Sequence, residues 1–140
     1  MIMKRDFILI LSCLTLLLAA CGGNVVQAKD GSSVQLTIEA LDTLQFTPDK
    51  PSIPSESEVA LTFKNVGSLD HNFIIAADGS DPFNVSEADA LAGINTGIVP
   101  GGEKTSLAFR TPPVGTYTFV CVVPGHAAAG MVGSLTITEP

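Results

Sequence analysis

The sequence is poor in charged and in aromatic residues, and both shortages limit the kinds of protein that it can encode. Charged residues make up only 15% and hydrophobic residues 46%, which argues against a disordered chain, and aromatic residues make up 6%. The 7 basic and 14 acidic residues give a net charge of −7. So few basic side chains exclude a nucleic-acid binder, because nothing would neutralise a row of phosphates. The 13 glycines and 9 prolines favour a turn-rich β protein over a helix bundle.

The first twenty residues have the pattern of an export signal. A positive start at residues 1–5 precedes a largely apolar run over residues 7–18, which is short for a membrane span and typical of a signal-peptide core. The run ends in Leu-Ala-Ala-Cys at residues 18–21, which resembles the lipobox of bacterial lipoproteins. The resemblance implies cleavage before Cys21 and lipidation of its sulfur. The alternative is an ordinary secretory signal that leaves Cys21 as a plain thiol.

These patterns divide the chain into three parts. Residues 1–20 are predicted to be a lipoprotein signal peptide, and the polar residues 21–33 a flexible, lipid-anchored tether. Residues 34–140 have the length of one domain. We therefore expect an exported protein, lipid-anchored to a bacterial membrane on its periplasmic or cell-surface side.

From residue 34 onward, the hydrophobic pattern is that of many short strands. Residues 34–39 and 59–63 alternate apolar with polar side chains, as half-buried strands do. The prolines within residues 48–54 fit an edge or a loop, and residues 86–91 fit one short helix with Ser86 as N-cap. Other strands are predicted at residues 44–46, 71–76, 105–109, 116–123 and 132–138. The pattern predicts an all-β, two-sheet Greek-key sandwich with one short helix.

Thiol, imidazole and thioether groups are scarce, and those predicted to remain after export, apart from the lipidated Cys21, follow one spacing pattern. They are Cys121, His71, His126 and Met131. Four residues separate Cys121 from His126, and four separate His126 from Met131, so one loop can wrap these side chains around an ion. His71 begins a distant strand and can close the site. Two imidazoles, a thiolate and a weak axial thioether are the ligands of a blue copper electron-transfer site.

Each of these residues also has an ordinary structural interpretation. Cys121 alone could be a small buried hydrophobe, His71 a core histidine and Met131 a gap-filling core side chain. Their conjunction at one strand–loop–strand position favours metal binding over coincidence. Zinc is the main rival metal, since it also binds cysteine and histidine, but structural zinc sites usually have more thiolates and no methionine.

The run Cys-Val-Val-Pro-Gly-His-Ala-Ala-Ala-Gly-Met at residues 121–131 resembles the ligand loop of the cupredoxins. Its spacing is closest to that of the auracyanins, and it is also similar to the loops of rusticyanin and sulfocyanin. Residues 65–72 resemble the segment that carries the first histidine of the family. The resemblance covers roughly residues 34–140 and implies the cupredoxin fold.

The resemblance also implies one type 1 copper per chain. It makes His71, Cys121 and His126 the equatorial ligands and Met131 the axial ligand. Asn72 matches the asparagine that follows the first histidine of the family. The resemblance implies that Asn72 holds the ligand loop to its neighbour and tunes the potential from beside the Cys121 sulfur.

Two further implications concern the surroundings of the copper. Azurins have a glycine before the first histidine, whose carbonyl can approach copper, whereas this chain has Asp70, which leaves that approach open. In the family, the ring edge of the C-terminal histidine reaches the surface. The matching residue is His126, and the small side chains of Ala127, Ala128 and Ala129 would let a partner approach closely.

The residues beside the predicted ligands favour a carrier over an enzyme. Multicopper oxidases flank the copper cysteine with histidines, whereas Val120 and Val122 stand here. The second copper of a nitrite reductase needs more than the 2 histidines present, and a purple binuclear centre needs a second cysteine in the loop. The alternative from another class is a copper trafficking or storage protein, which favours methionine-rich or more exposed sites.

The resemblance to auracyanins also implies the partners. A monomeric carrier would shuttle single electrons between a quinol-oxidising membrane complex and a photosynthetic reaction centre or terminal oxidase. The acidic surplus could steer a basic partner such as a c-type cytochrome.

Overall fold

The computed structural model describes residues 33–77 and 79–140. The predicted signal peptide, Cys21 and the tether up to residue 32 lie outside the described residues. The described part contains one 3-10 helix, Glu87–Asp89, and these strands: β1 Val34–Leu41, β2 Gln45–Thr47, β3 Ser52–Pro54, β4 Glu58–Asn65, β5 Ile74–Ala76, β6 Ala90–Asn95, β7 Lys104–Arg110, β8 Gly115–Val120 and β9 Val132–Thr138. No helix of the described residues is long and apolar enough to cross a membrane.

The strands form two mixed sheets. One sheet has the order β2-β1-β4-β7 and the other β3-β9-β8-β5-β6. The pairs β1/β4 and β3/β9 are parallel, and the other pairs are antiparallel. Several neighbouring strands are distant in sequence because the chain repeatedly passes from one sheet to the other. The predicted all-β, two-sheet architecture is confirmed.

The core lies between the two sheets and is formed by the side chains that alternate strand residues direct inward. From Leu36 onward in β1 and throughout β4, every second residue is buried, whereas intervening residues are more exposed. Four phenylalanine rings, Phe46, Phe63, Phe73 and Phe119, pack with centroid distances of 5.0–6.4 Å. Such tilted and edge-to-face contacts between rings from both sheets stabilise the sandwich beyond the area they bury.

The helix predicted over residues 86–91 is largely wrong. Only Glu87–Asp89 is helical, as a single 3-10 turn, and the chain then enters β6 at Ala90. Ala90, directly after the turn, has φ −64° and ψ 121°, an extended conformation through which a helix cannot continue. Pairing of β6 with β5 satisfies the backbone here, so tertiary hydrogen bonding outweighs the local helix signal.

Two ligand positions lie just outside the strands that the sequence predicted to contain them. The strand predicted from His71 begins only at Ile74, and His71 instead forms an isolated bridge with Val99. The strand predicted up to residue 123 ends at Val120, so Cys121 is the first residue of the following loop. Both ligands therefore lie just beyond the regular strands, where backbone hydrogen bonds to Val99 and Met131 hold them.

Candidate metal centre

The loop between β8 and β9 is held by its own backbone hydrogen bonds. The Cys121 N–H donates to the Met131 carbonyl at 3.2 Å, and the Met131 N–H donates to the His126 carbonyl at 3.0 Å. Gly125 and Gly130 have φ angles of 87° and 102°, in the left-handed region that favours glycine. These contacts bring the backbones of three predicted ligands together before any side chain is considered.

His71 enters the site from the opposite side, at the end of a well-fixed turn. Its N–H donates to the Val99 carbonyl at 3.2 Å, and the Val99 N–H returns the bond at 2.8 Å. The buried Asn65 amide donates to the carbonyls of Leu69 at 2.6 Å and Val99 at 2.8 Å, and it accepts from the Gly67 N–H at 3.1 Å. A buried side chain thus satisfies backbone groups that a longer strand would otherwise pair.

The donor atoms of the two segments face one another. The Nδ1 atoms of His71 and His126 are 3.2 Å apart, and the Cys121 sulfur lies 3.5 Å from the His126 Nδ1. The ligand atoms of these three residues all lie within 4.8 Å of one another. Two ring nitrogens and a sulfur converging on one small space form a suitable ligand set for a single soft or borderline metal ion. Met131 is fully buried at the end of the same loop.

Burial favours the neutral forms of His71 and Cys121. It lowers the pKa of His71, and the charge of a protonated His126 would lower it further. Burial also raises the pKa of the Cys121 thiol, against the opposing effect of backbone N–H bonds from Asn72 and Val123. The imidazole of His71 is therefore ready to bind a metal, whereas the thiol must release a proton when it becomes a ligand.

The comparisons with known proteins agree with this geometry. Residues 32–138 match the copper binding proteins of the plastocyanin/azurin family. The chain belongs to this family. In this cupredoxin, His71, Cys121, His126 and Met131 form a type 1 copper site. The predicted family and cofactor are confirmed.

Auracyanins are among the relatives of this cupredoxin. Auracyanin-B of Chloroflexus aurantiacus is 35% identical over 134 residues, which cover 84% of this chain and 57% of that protein. Auracyanin-A of the same organism is 28% identical over 140 residues, with 84% and 86% covered. The present chain therefore spans little more than half the length of auracyanin-B.

Solved structures extend the similarity to the fold. A dithionite-reduced auracyanin from the photosynthetic bacterium Roseiflexus castenholzii has a TM-score of 0.66 and 25% identity, with 78% of this chain and 100% of that chain covered. A structure of auracyanin B has a TM-score of 0.63 and 30% identity, with 78% and 96% covered. The sandwich described above is thus the cupredoxin fold.

Asn72 connects the two halves of the cupredoxin site. Its N–H points to the Cys121 sulfur at 3.5 Å, and its side-chain oxygen accepts from the Val122 N–H at 2.8 Å. Its amide nitrogen donates to the Glu87 carboxylate at 3.3 Å. The position of Asn72 agrees with the contacts that the resemblance implied. The contact to Glu87 was missed, because nothing in the local pattern links that acidic residue to the site.

The site reaches the surface at one ligand. His71, Cys121 and Met131 are fully buried, whereas His126 is half-buried. Ala127 beside it is also half-buried, and Ala128 and Ala129 are exposed. The exposed part of the ligand loop therefore carries small side chains around the one imidazole that a partner can approach.

Proposed function

We propose that this blue copper protein is an electron carrier, anchored by lipid at Cys21 to the outer face of a membrane. It passes single electrons from a quinol-oxidising membrane complex to a photosynthetic reaction centre or terminal oxidase. The observation that carries the proposal is the convergence of His71, Cys121 and His126, with only His126 reaching the surface. The auracyanin relatives support this choice of partners.

The chain contributes a rigid and dry ligand environment. Copper, when bound, supplies a one-electron redox couple. His71 is fixed by its backbone bridge to Val99, and Cys121 is fixed by its bond to Met131, so the ligands need little rearrangement when the charge of the site changes. Burial of His71, Cys121 and Met131 excludes water from these ligands, and this also lowers the reorganisation that accompanies electron transfer.

A spectrum of the protein loaded with Cu(II) tests the proposed function. We expect an intense blue thiolate band and narrow copper hyperfine splitting in the EPR spectrum. The Cys121→Ser variant is expected to lose the blue band, because the hydroxyl cannot replace the covalent thiolate bond. A colourless wild-type protein with ordinary copper splitting would mean that Cys121 is not a ligand, and zinc binding or copper trafficking would then be favoured.

Copper exchange separates a carrier from a trafficking or storage protein. Three of the four ligands are fully buried, so we expect slow loss of copper to a chelator in the folded protein. A trafficking protein must release its metal to a recipient. Rapid, reversible exchange would therefore contradict the carrier and support the alternative.

Partner docking is proposed at the surface around His126. The Ala128→Lys variant should slow electron exchange with a protein partner, because a long charged side chain prevents close approach. Ala108→Lys, at an exposed position in β7, is the matched control and should leave the rate unchanged. The copper spectrum should stay the same in both variants. A changed spectrum with an unchanged rate for Ala128→Lys would contradict the proposal.

The proposed anchor has an independent test. Mass spectrometry of protein extracted from membranes should show a chain that begins at a lipid-modified Cys21. The Cys21→Ala variant should lack the lipid mass, because no sulfur is left at this position to carry the lipid. An unmodified N-terminus on the membrane-extracted protein would exclude the lipid anchor without affecting the copper chemistry.

A further inference from the structure

Asp42, which directly follows β1, holds the turn that leads to the ligand His71. Its carboxylate accepts the Ser68 N–H at 2.7 and 2.9 Å and the Leu69 N–H at 3.0 Å. These charge-assisted bonds tie the end of β1 to a turn 26 residues later in the chain. The sequence analysis did not single out Asp42, because an acidic residue after a strand carries no local signal of such a contact.

The packing of this turn on Asp42 is specific. A Cβ atom added at Gly67 would overlap the Asp42 carboxylate and lie 3.0 Å from the Asp42 backbone nitrogen. Only a residue without a side chain can therefore bring its backbone this close to Asp42. On the other side of the turn, the buried Asn65 amide accepts from the Gly67 N–H and donates to the Leu69 carbonyl. The two side chains hold the turn from both sides.

The ring of His71 has one nitrogen without a partner. Its Nε2 is buried and has no hydrogen-bond partner among the described residues, and the Asp42 Oδ1 lies 4.0 Å away. This distance is too long for a hydrogen bond, but it allows a direct electrostatic attraction. Metal-binding histidines commonly present their second N–H to a carboxylate, which orients the ring and selects the tautomer.

Asp42 carries its negative charge at neutral pH. The backbone N–H bonds from Leu69 and Ser68 hold the pKa of its carboxyl below the ordinary value of 3.8. A negative charge on this side of the ring favours a proton on Nε2. That tautomer leaves the Nδ1 lone pair of His71 directed toward the His126 Nδ1, 3.2 Å away.

We propose that Asp42 is a positioning residue for the copper ligand His71. Its carboxylate fixes the turn before His71 and selects the ring tautomer that has a free lone pair on Nδ1. Asp42 acts through His71 and does not bind the metal. The inference deepens the copper site and rests on the function proposed above, but its first test needs no metal.

The first test uses metal-free protein. Long-range ¹H–¹⁵N NMR should show the His71 proton on Nε2 in the wild type, and hydrogen exchange should show protected N–H groups at Ser68 and Leu69. In Asp42→Ala, the tautomer population should shift toward Nδ1–H and both N–H groups should exchange faster. An unchanged tautomer population with unchanged exchange would overturn the proposal.

The second test separates the charge of Asp42 from its backbone bonds. Asp42→Asn keeps an oxygen that can accept from the turn but removes the charge, so the N–H protection should persist while the tautomer shifts. Asp70→Asn is the matched control, because it removes an equal charge that also acts on His71, though less than Asp42 does. Equal tautomer shifts in Asp42→Asn and Asp70→Asn would mean that net charge alone is responsible and would overturn the proposal.

The third test uses the copper-loaded protein. Removal of a residue that orients a metal ligand typically weakens metal binding about 10- to 100-fold. We expect Asp42→Ala to fall in this range for Cu(II) and Asp70→Asn to stay close to wild type. Wild-type copper affinity in Asp42→Ala would overturn the positioning role. A wild-type protein without a blue band would instead contradict the proposed function, and the metal-free measurements would still decide the role of Asp42.

Discussion

Met131 is a core residue and a copper ligand at once. Its side chain is fully buried and belongs to the same apolar cluster as Phe119 and Leu135. Its backbone is bonded to both Cys121 and His126. Substitutions at Met131 therefore need to preserve the packing if the contribution of the thioether is to be measured alone.

We expect Met131→Leu to retain copper and raise the reduction potential. Leucine and methionine have similar volumes, and such exchanges usually cost less than about 1.5 kcal/mol of stability. Loss of the axial thioether leaves the metal with three strong ligands in apolar surroundings, which disfavours the more highly charged Cu(II). Protein-film voltammetry measures the potential.

Leu135→Met is the matched control for this substitution. Leu135 is a buried residue of β9 outside the ligand loop. Replacing this leucine by methionine therefore changes core packing without changing a ligand. Its potential should equal that of the wild type. A potential for Met131→Leu that is unchanged or lower would show that the thioether does not act as the axial ligand.

At the scale of elements, Gly133 is needed where β9 pairs with Phe119 of β8. A Cβ atom there would overlap the Phe119 ring and lie 2.7 Å from the Asp49 carbonyl oxygen. Gly133→Ala should therefore lower the free energy of unfolding by about 1–3 kcal/mol, as overpacked core positions do. Chemical denaturation of the metal-free protein measures the change.

Gly115 in β8 is the control for this prediction. A Cβ atom at Gly115 would lie 3.6 Å from the Tyr117 ring, which is an ordinary contact. Gly115→Ala should therefore leave the protein as stable as the wild type or slightly more stable, because alanine loses less backbone entropy on folding. Equal destabilisation by both substitutions would contradict a specific role of the close approach at Gly133.

The 3-10 turn should respond to acid. The Ser86 N–H donates to the Asp89 carboxylate at 2.9 Å, and the Ser86 hydroxyl donates to it at 2.7 Å. The backbone bond, and after it the hydroxyl bond, hold the pKa of Asp89 below the ordinary value of 3.8. Because the folded pKa is depressed, this contribution to stability is present above pH 3.8 and is lost as the pH falls below it. An NMR titration should show Asp89 titrating below 3.8, together with a shift of the Ser86 N–H signal. A pKa at or above 3.8 would contradict the contact.

The Asp89→Asn variant is the control for this titration. It removes the titrating carboxyl but keeps an oxygen that can accept from Ser86. The acid-dependent shift of the Ser86 N–H signal should therefore disappear. If the shift persisted, another group would be its source.

Local sequence patterns predicted most strands and the ligand loop. They could not predict contacts between segments that are distant in sequence. The alternation in β1 and β4 and the spacing from Cys121 to Met131 are properties of short stretches. β6 contains Ala92 and Gly93 and lacks alternation, so only its pairing with β5 reveals it. The contacts of Asp42 with the turn before His71 and of Glu87 with Asn72 likewise depend on the folded chain.

At the scale of the whole molecule, the chain as a whole is acidic, whereas the proposed docking surface around His126 has small uncharged side chains. The chain carries a net charge of −7, whereas the exposed part of the ligand loop is composed of proline, glycine and alanine around His126. Long-range attraction and close contact are thus provided by different parts of the protein. For the basic partner proposed above, charge would steer the encounter, and the small apolar side chains would allow the final approach.

Electron transfer to a basic c-type cytochrome should therefore slow as salt is added. The net charge of −7 attracts a positive partner, and the Debye length falls from about 30 Å at 0.01 M salt to about 10 Å at 0.1 M. Stopped-flow measurement of the bimolecular rate over this range tests the prediction. An anionic iron complex is the control, since screening reduces its repulsion and its rate should rise with salt. A cytochrome rate that is independent of ionic strength would show that docking depends on the apolar contact around His126 alone.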